Sequence, residues 1–352
     1  MEKTLAELFR QPRVRKWAEK PNHRLSVGII QGDDRTVWEK GAPRGSGISN
    51  GLYEIGSITK TMVGLILAIG EKEGRWNSAE RLADLVPEWK ESPFARETSL
   101  LQLATHTSGL PVVPSNLRAT INDRMNPYSG YTERHLNESV LSEKKRQTGS
   151  HRYSNYGFGL LGWALARRLG MSLNDMIGSC IAEPFGMTNT GVASSGSLSA
   201  SLVPVYRASG KPTRHWDFSD ALGGAGAVRS TIDDMLLYLE AHLNESEEEP
   251  MGRAIALAVQ EHQALMPKRG IGVGYAWMRY REKDGTLTHW HNGGTYGSSS
   301  FISFNRENRT GFVVLSNYGS SAWSQLAPML GIKPMSVDGF ASMLNKELYE
   351  LK

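Results

Sequence analysis

Tyr53-Glu54-Ile55-Gly56-Ser57-Ile58-Thr59-Lys60-Thr61-Met62-Val63-Gly64-Leu65-Ile66-Leu67-Ala68 reads as a tight entry followed at once by a helix. Ser57 falls in the first turn and Lys60 three residues later, a spacing that stacks both side chains on one face. Val63, Leu65, Ile66, Leu67 and Ile69 make the helix apolar nearly all round, so it is expected to be buried. Serine is a weak nucleophile until a neighbouring base takes its proton. Lysine can be that base only if its pKa falls towards neutrality, and both burial and the positive end of a helix push it that way. The same helix start offers backbone N–H groups to an oxyanion. Ser-x-x-Lys also occurs by chance, and a serine near a helix start is commonly only a cap. The rest of the chain has to decide between the two.

At 352 residues the chain suggests one large or two intimate domains. Its 39% apolar and 22% charged content is that of an ordinary globular protein. A formal charge of +4 is too small for this size to indicate nucleic acid, and the basic run Glu143-Lys144-Lys145-Arg146 is short and isolated. The acidic run Glu245-Ser246-Glu247-Glu248-Glu249 reads as a solvated loop. Cys180 is the only cysteine, which excludes an internal disulfide and a Cys-based zinc site. The first nine residues are amphipathic and charged, without the apolar core of a signal peptide, and no stretch approaches 18 apolar residues. The expectation is a cytoplasmic protein with no membrane span.

Along the chain, residues up to about Lys20 read as a surface helix. Leu25–Ile30 and Thr36–Glu39 read as strands of a hairpin turning at Gly32-Asp33-Asp34. Gly47-Ile48-Ser49-Asn50-Gly51 matches a G-x-S-x-G elbow but lacks the preceding strand that elbow needs. From 75 to 200 the pattern is mainly helical, with a capped helix over 98–106, an apolar helix over 158–169 and another over 173–181. A polar stretch over 114–130 reads as a long loop. Gly223-Gly224-Ala225-Gly226 precedes a helix capped by Ser230 or Thr231. Strands are expected over 274–280, 286–290, 299–305 and 311–316, and a helix over 337–351. Strands at both ends with helices between imply an α/β protein of α+β type, its antiparallel sheet built from both termini. The expected division is a sheet domain from 1–74 and 201–352, a helical region from 75–200, and a site in the cleft between them.

Two further stretches look like site material. In Tyr153-Ser154-Asn155 the asparagine suits mere turn chemistry. A phenol beside a cationic lysine, however, would have its pKa lowered from about 10 and could take up and pass on the serine proton. Asn155 could hold a substrate amide. In His289-Trp290-His291-Asn292-Gly293-Gly294 the two histidines share a strand face, but no third ligand stands at useful spacing, so no metal is expected. The glycine pair reads as backbone that something approaches closely, an edge strand that receives an extended substrate and gives one oxyanion N–H.

Ser57-Ile58-Thr59-Lys60, Tyr153-Ser154-Asn155 and His291-Asn292-Gly293, in that order, resemble the penicillin-recognising serine hydrolases. The branch is that of class C β-lactamases, D-stereospecific peptidases and family VIII carboxylesterases. Leu100 to Pro111, Glu183 to Thr190, and Gly223 to Gly226 with Thr231 to Asp234 agree with it, so the resemblance runs from about 25 to 318. It implies a β-lactamase/transpeptidase-like fold and no cofactor. It further implies Ser57 as the acylated nucleophile, Lys60 and Tyr153 as the proton-handling pair, and Asn155, His291, Asn292 and Gly293 as substrate contacts. Backbone N–H groups of Ser57 and Gly294 would form the oxyanion hole. One departure stands out: many β-lactamases carry Lys-Thr-Gly where this chain has His291-Asn292-Gly293. Losing the lysine removes a permanent cation, and histidine is mostly neutral at pH 7. The change argues against efficient penicillinase action and not against catalysis.

The expected activity is hydrolysis of a small-molecule ester, amide or lactam through an acyl-enzyme. The alternatives are acyl transfer from the same site and a slowly deacylating penicillin-binding protein. Arg118, Arg124, Tyr128, Tyr206, Arg207 and Trp216 lie in the loops that would shape the pocket.

Overall fold

A computed structural model describes residues 2–39, 42–43, 51–144, 148–192, 202–244, 246, 248–282, 284–320 and 335–349. The G-x-S-x-G candidate up to Asn50, the Lys145-Arg146 end of the basic run, and Glu245 and Glu247 of the acidic run lie outside them. The strands are β1 (Leu25–Gln31), β2 (Asp34–Glu39), β3 (Ala42–Pro43), β4 (Tyr53–Glu54), β5 (Gly191–Val192) and β6 (Val228–Ser230). They continue with β7 (Gln263–Met266), β8 (Ile271–Val273), β9 (Met278–Arg281), β10 (Leu287–Gly294), β11 (Ser299–Asn305) and β12 (Thr310–Ser316). Nine of them form one antiparallel sheet in the order β3-β2-β1-β12-β11-β10-β9-β8-β7, and β4-β6-β5 form a small second sheet. The N-terminal and C-terminal strands of the large sheet join at β1 and β12, with Leu25 opposite Ser316 and Gln31 opposite Thr310.

Strand alternation sorts the side chains onto two cores. Val27, Ile29, Phe301, Phe312 and Val314 face outward, where Leu5, Leu8 and Trp17 of two N-terminal helices and Phe340 and Leu344 of the Val337–Tyr349 helix cover them. The N-terminal segment is therefore two packed helices and not one surface helix. It breaks at Pro12, which has no N–H to continue the first. Ile30, Ile302, Phe304, Val313 and Leu315 face inward onto the Thr59–Lys72 and Ile232–Asn244 helices. The Asn155–Leu169 helix, buried from Tyr156 to Ala166, anchors the helical region on that side.

Two expected elements differ in detail. Residues 274–277 leave the sheet: Tyr275 N donates to Ala258 O and Ala276 N to Ala104 O, with Ala276 at φ +67°. Packing onto helix ends wins over strand pairing there, and β9 starts only at Met278. The helix expected over 173–181 is α-helical to Ile177 and widens into a π turn over Gly178–Ala182. Among the described residues no helix is long and apolar enough to cross a membrane.

The Thr59–Lys72 helix meets the 274–277 turn at Gly64, where an added Cβ would lie 2.6 Å from the carbonyl oxygen of Tyr275. Backbone on both sides leaves nothing that can give way. Gly64→Ala is expected to destabilise the protein by about 1–3 kcal/mol, read from the midpoint of a denaturant titration.

Candidate active site

Ser57 sits in a single 3-10 turn, Gly56–Ile58, that leads directly into the Thr59–Lys72 helix. Lys60, one turn on, is fully buried. Its Nζ lies 2.9 Å from Ser57 Oγ, 2.9 Å from Asn155 Oδ1 and 2.6 Å from the backbone oxygen of Ala225. None of these partners carries a charge, so desolvation acts unopposed and holds the amine pKa well below its usual 10.5. The two carbonyl oxygens can only accept, so each takes one N–H of the amine. The third position of the nitrogen faces the hydroxyl oxygen of Ser57.

Tyr153 approaches from the helical region, where Ser154 caps the Asn155–Leu169 helix by accepting from Gly157 N. Tyr153 as a residue is 38% exposed. Its hydroxyl points inward and donates to Ser57 Oγ at 2.6 Å. The phenol pKa is pushed upward by burial, the reverse of the lowering expected from the sequence. That expectation rested on the amine beside the phenol, and loss of water around the hydroxyl is the larger effect. Ser57 Oγ thus accepts from the phenol of Tyr153 and faces the desolvated amine of Lys60.

The glycine pair of β10 is brought against the serine. A Cβ on Gly293 would lie 2.1 Å from Ile55 O and 3.0 Å from Ser57 N, and one on Gly56 would lie 2.5 Å from Gly294 N. Backbones approach this closely only because no Cβ intervenes, and Gly56 also takes φ +51°. β10 is not an edge strand along its whole length, since β9 pairs with Leu287–Trp290. Beyond Trp290 its pairing runs to β11, from His291 opposite Ile302 to Gly294 opposite Ser299.

His291 is buried, gives its Nδ1–H to the oxygen of Asn292, and has its pKa lowered to about 3 by burial, so it supplies no cation. Asn292 turns away, its Nδ2 donating to Asp338 on the C-terminal helix. It does not join the cluster as expected. His289 is a core residue stacked on Phe304. Among the described residues no group of three or more His, Cys, Asp or Glu could hold a metal. Arg118, Arg124 and Arg207 are exposed, whereas Tyr128 and Trp216 stand beside Ser57.

Three contributors escaped the sequence reading. The Ala225 carbonyl has no side-chain signature. Glu54, just before the serine turn, is 3% exposed and accepts from Trp216 N at 2.6 Å and Thr295 Oγ1 at 2.7 Å. It ties the serine turn, the 216–218 loop and the end of β10 together. His106, at φ +58°, lies under the Tyr153 ring at 4.6 Å between centroids and accepts from Ser154 N through Nδ1. A buried carboxylate in a two-residue strand and a non-glycine positive φ leave no pattern to read.

The β-lactamase family model matches residues 15–327. The chain belongs to the β-lactamase family. A β-lactamase of Providencia stuartii is 29% identical over 54% of this chain and 47% of its own length. The protein flp of Staphylococcus aureus is 26% identical over 84% of this chain and 59% of its own. The chain therefore spans about half the length of these curated relatives. A solved β-lactamase/D-alanine carboxypeptidase from Pseudomonas syringae shares the β-lactamase fold with a TM-score of 0.77, covering 100% of this chain and 99% of that one at 18% identity.

Within this family fold, the approach of Gly56 to Gly294 sets where the two backbones meet beside Ser57. Gly56→Ala is expected to leave the protein folded by circular dichroism. It should slow covalent capture of Ser57 by a small fluorophosphonate about 10²–10³-fold, the scale of losing one oxyanion donor.

Proposed function

We propose that this β-lactamase-family protein is a serine hydrolase that works through an acyl-enzyme. The observation that carries the reading is Ser57 Oγ held between Lys60 Nζ at 2.9 Å and Tyr153 OH at 2.6 Å. On attack, the bond from Oγ to the substrate carbonyl carbon forms as the serine proton passes to the Lys60 lone pair. Backbone N–H groups of Ser57 and Gly294 receive the developing oxyanion. As the tetrahedral intermediate collapses, the bond to the leaving group breaks and Tyr153 gives that group its proton.

The acyl-enzyme then holds a phenolate beside a protonated Lys60. The lowering of the phenol pKa by a neighbouring cation belongs to this state. The phenolate takes a proton from water as the water attacks the ester, and Lys60 returns its proton to Ser57 Oγ. Protons and charge close over the cycle. Asn155 orients Lys60 through Oδ1 and presents its amide towards the substrate.

His291 brings no positive charge, which favours neutral esters or amides over substrates gripped by a carboxylate. Amines added to a turnover assay separate hydrolysis from acyl transfer. A one-equivalent burst without turnover would mark a slowly deacylating penicillin-binding protein.

The pH dependence follows from the two shifts. Protonating Lys60 removes the base, so acylation falls as pH drops through its depressed pKa. The raised Tyr153 pKa keeps the acid protonated, so the alkaline limb lies above the ordinary phenol range. With p-nitrophenyl acetate, Tyr153→Phe is expected to lower kcat about 10²–10⁴-fold and Ser57→Ala to abolish turnover. Turnover or fluorophosphonate labelling of Ser57→Ala equal to wild type would refute the assignment.

A further inference from the structure

Beside Ser57 lies a pocket of about 20 Å³, bounded on the reactive side by Ser57, Asn155 and Gly294 and walled by the rings of Tyr128, Trp216 and Phe218. That volume is about what one water-sized group needs. Phe218 stacks on Tyr128 with centroids 4.5 Å apart, and Trp216 meets the edge of Tyr128 at 5.2 Å and Tyr296 at 4.9 Å. The tip of Phe218 reaches back to Gly226, where an added Cβ would be 3.6 Å from Cζ.

The wall is braced from behind. Asn126 and Asp217 exchange hydrogen bonds, Asn126 Nδ2 donating to Asp217 Oδ2 at 2.8 Å and Asp217 N to Asn126 Oδ1 at 2.8 Å. Arg229, 4% exposed, donates to the oxygen of Trp216 at 3.2 Å and to Asp217 Oδ1 at 3.3 Å. Glu54 holds Trp216 N. The loop carrying Tyr128 and the loop carrying Trp216 and Phe218 are thereby locked together, and aromatic rings packed this way do not yield to an added methylene without cost.

The cavity also has a direction. Tyr153, which protonates the leaving group, is not part of its lining. The space therefore lies on the acyl side of the scissile bond, and among the described residues its lining carries no charged side chain.

We propose that Tyr128, Trp216 and Phe218 set the length of the acyl group, admitting an uncharged, unbranched acyl of acetyl size and rejecting longer or α-branched ones. The inference rests on the acyl-enzyme reading above and names its substrate class. An acetyl group places one methyl in the cavity. A longer chain, or the substituted α-carbon of an opened lactam, must displace a ring.

The test is kcat/KM for p-nitrophenyl acetate, butyrate and hexanoate, with the leaving group held constant. It is run on wild type, Phe218→Ala, Trp216→Ala and the milder Phe218→Leu. Wild type is expected to favour acetate over hexanoate by at least about 10²-fold, since each refused methylene costs about tenfold or more. Opening the wall is expected to raise the hexanoate-to-acetate ratio about tenfold or more in the alanine variants and less in Phe218→Leu. Equal use of acetate and hexanoate by wild type overturns the proposal even if every variant misfolds. An unchanged ratio in folded variants overturns it as well. If Ser57 is labelled by a small fluorophosphonate and esters turn over without length preference, only this inference falls. If neither occurs, the acyl-enzyme reading falls and takes this one with it.

Discussion

The site depends on an amine taken out of water without a counter-charge. Lys60 is fully buried, and its three hydrogen-bond partners are a hydroxyl, an amide oxygen and a backbone oxygen. A carboxylate in any of those places would stabilise the ammonium form and remove the lone pair that a base needs. Neutral acceptors do the opposite. They orient the amine while leaving desolvation to decide its ionisation. The same desolvation raises the pKa of Tyr153, so one physical cause shifts both groups towards their neutral forms, as the proposed mechanism requires of its base and acid. Because the two groups share Ser57 Oγ, their titrations are coupled, and the resting state belongs to the pair.

The architecture supplies that environment from four directions. The serine turn and Lys60 come from the start of a helix that is buried nearly throughout. Tyr153 and Asn155 come from the capped start of the Asn155–Leu169 helix in the helical region. Gly293 and Gly294 come from the end of β10, past the reach of β9. Ala225 comes from the turn before β6. Glu54, which leads into the serine turn, ties it to the 216–218 loop and the end of β10 through one buried carboxylate, so the position of the serine turn and that of the aromatic wall are set together.

What could be read in advance was whatever leaves a side-chain pattern. Ser57 and Lys60 were legible because helical periodicity puts them on one face, and the sheet because alternating apolar runs stand at both ends of the chain. Tyr153 and Asn155 could be singled out, but the sense of the phenol shift could not, since it turns on how far the hydroxyl is desolvated in the folded protein. Asn292 sits in the right motif and points to Asp338, because strand alternation alone does not say what lies beyond each face. The Ala225 carbonyl is backbone and invisible in composition. Tyr128 and Trp216 could be noted as pocket-shaping aromatics. Phe218 could not, as its place depends on the Asn126–Asp217 pairing across 91 residues. The strand expected over 274–280 failed where helix-end carbonyls captured the backbone N–H groups of Tyr275 and Ala276.

The most direct test of this account is the ionisation state of Lys60 itself, followed by NMR of protein carrying [13Cε]lysine, with Lys60→Met identifying the resonance. The account predicts a resonance with the shift of an uncharged amine at pH 7, becoming that of an ammonium only on acidification. A Lys60 that remains an ammonium through pH 7 and titrates near its ordinary value of 10.5 would contradict it.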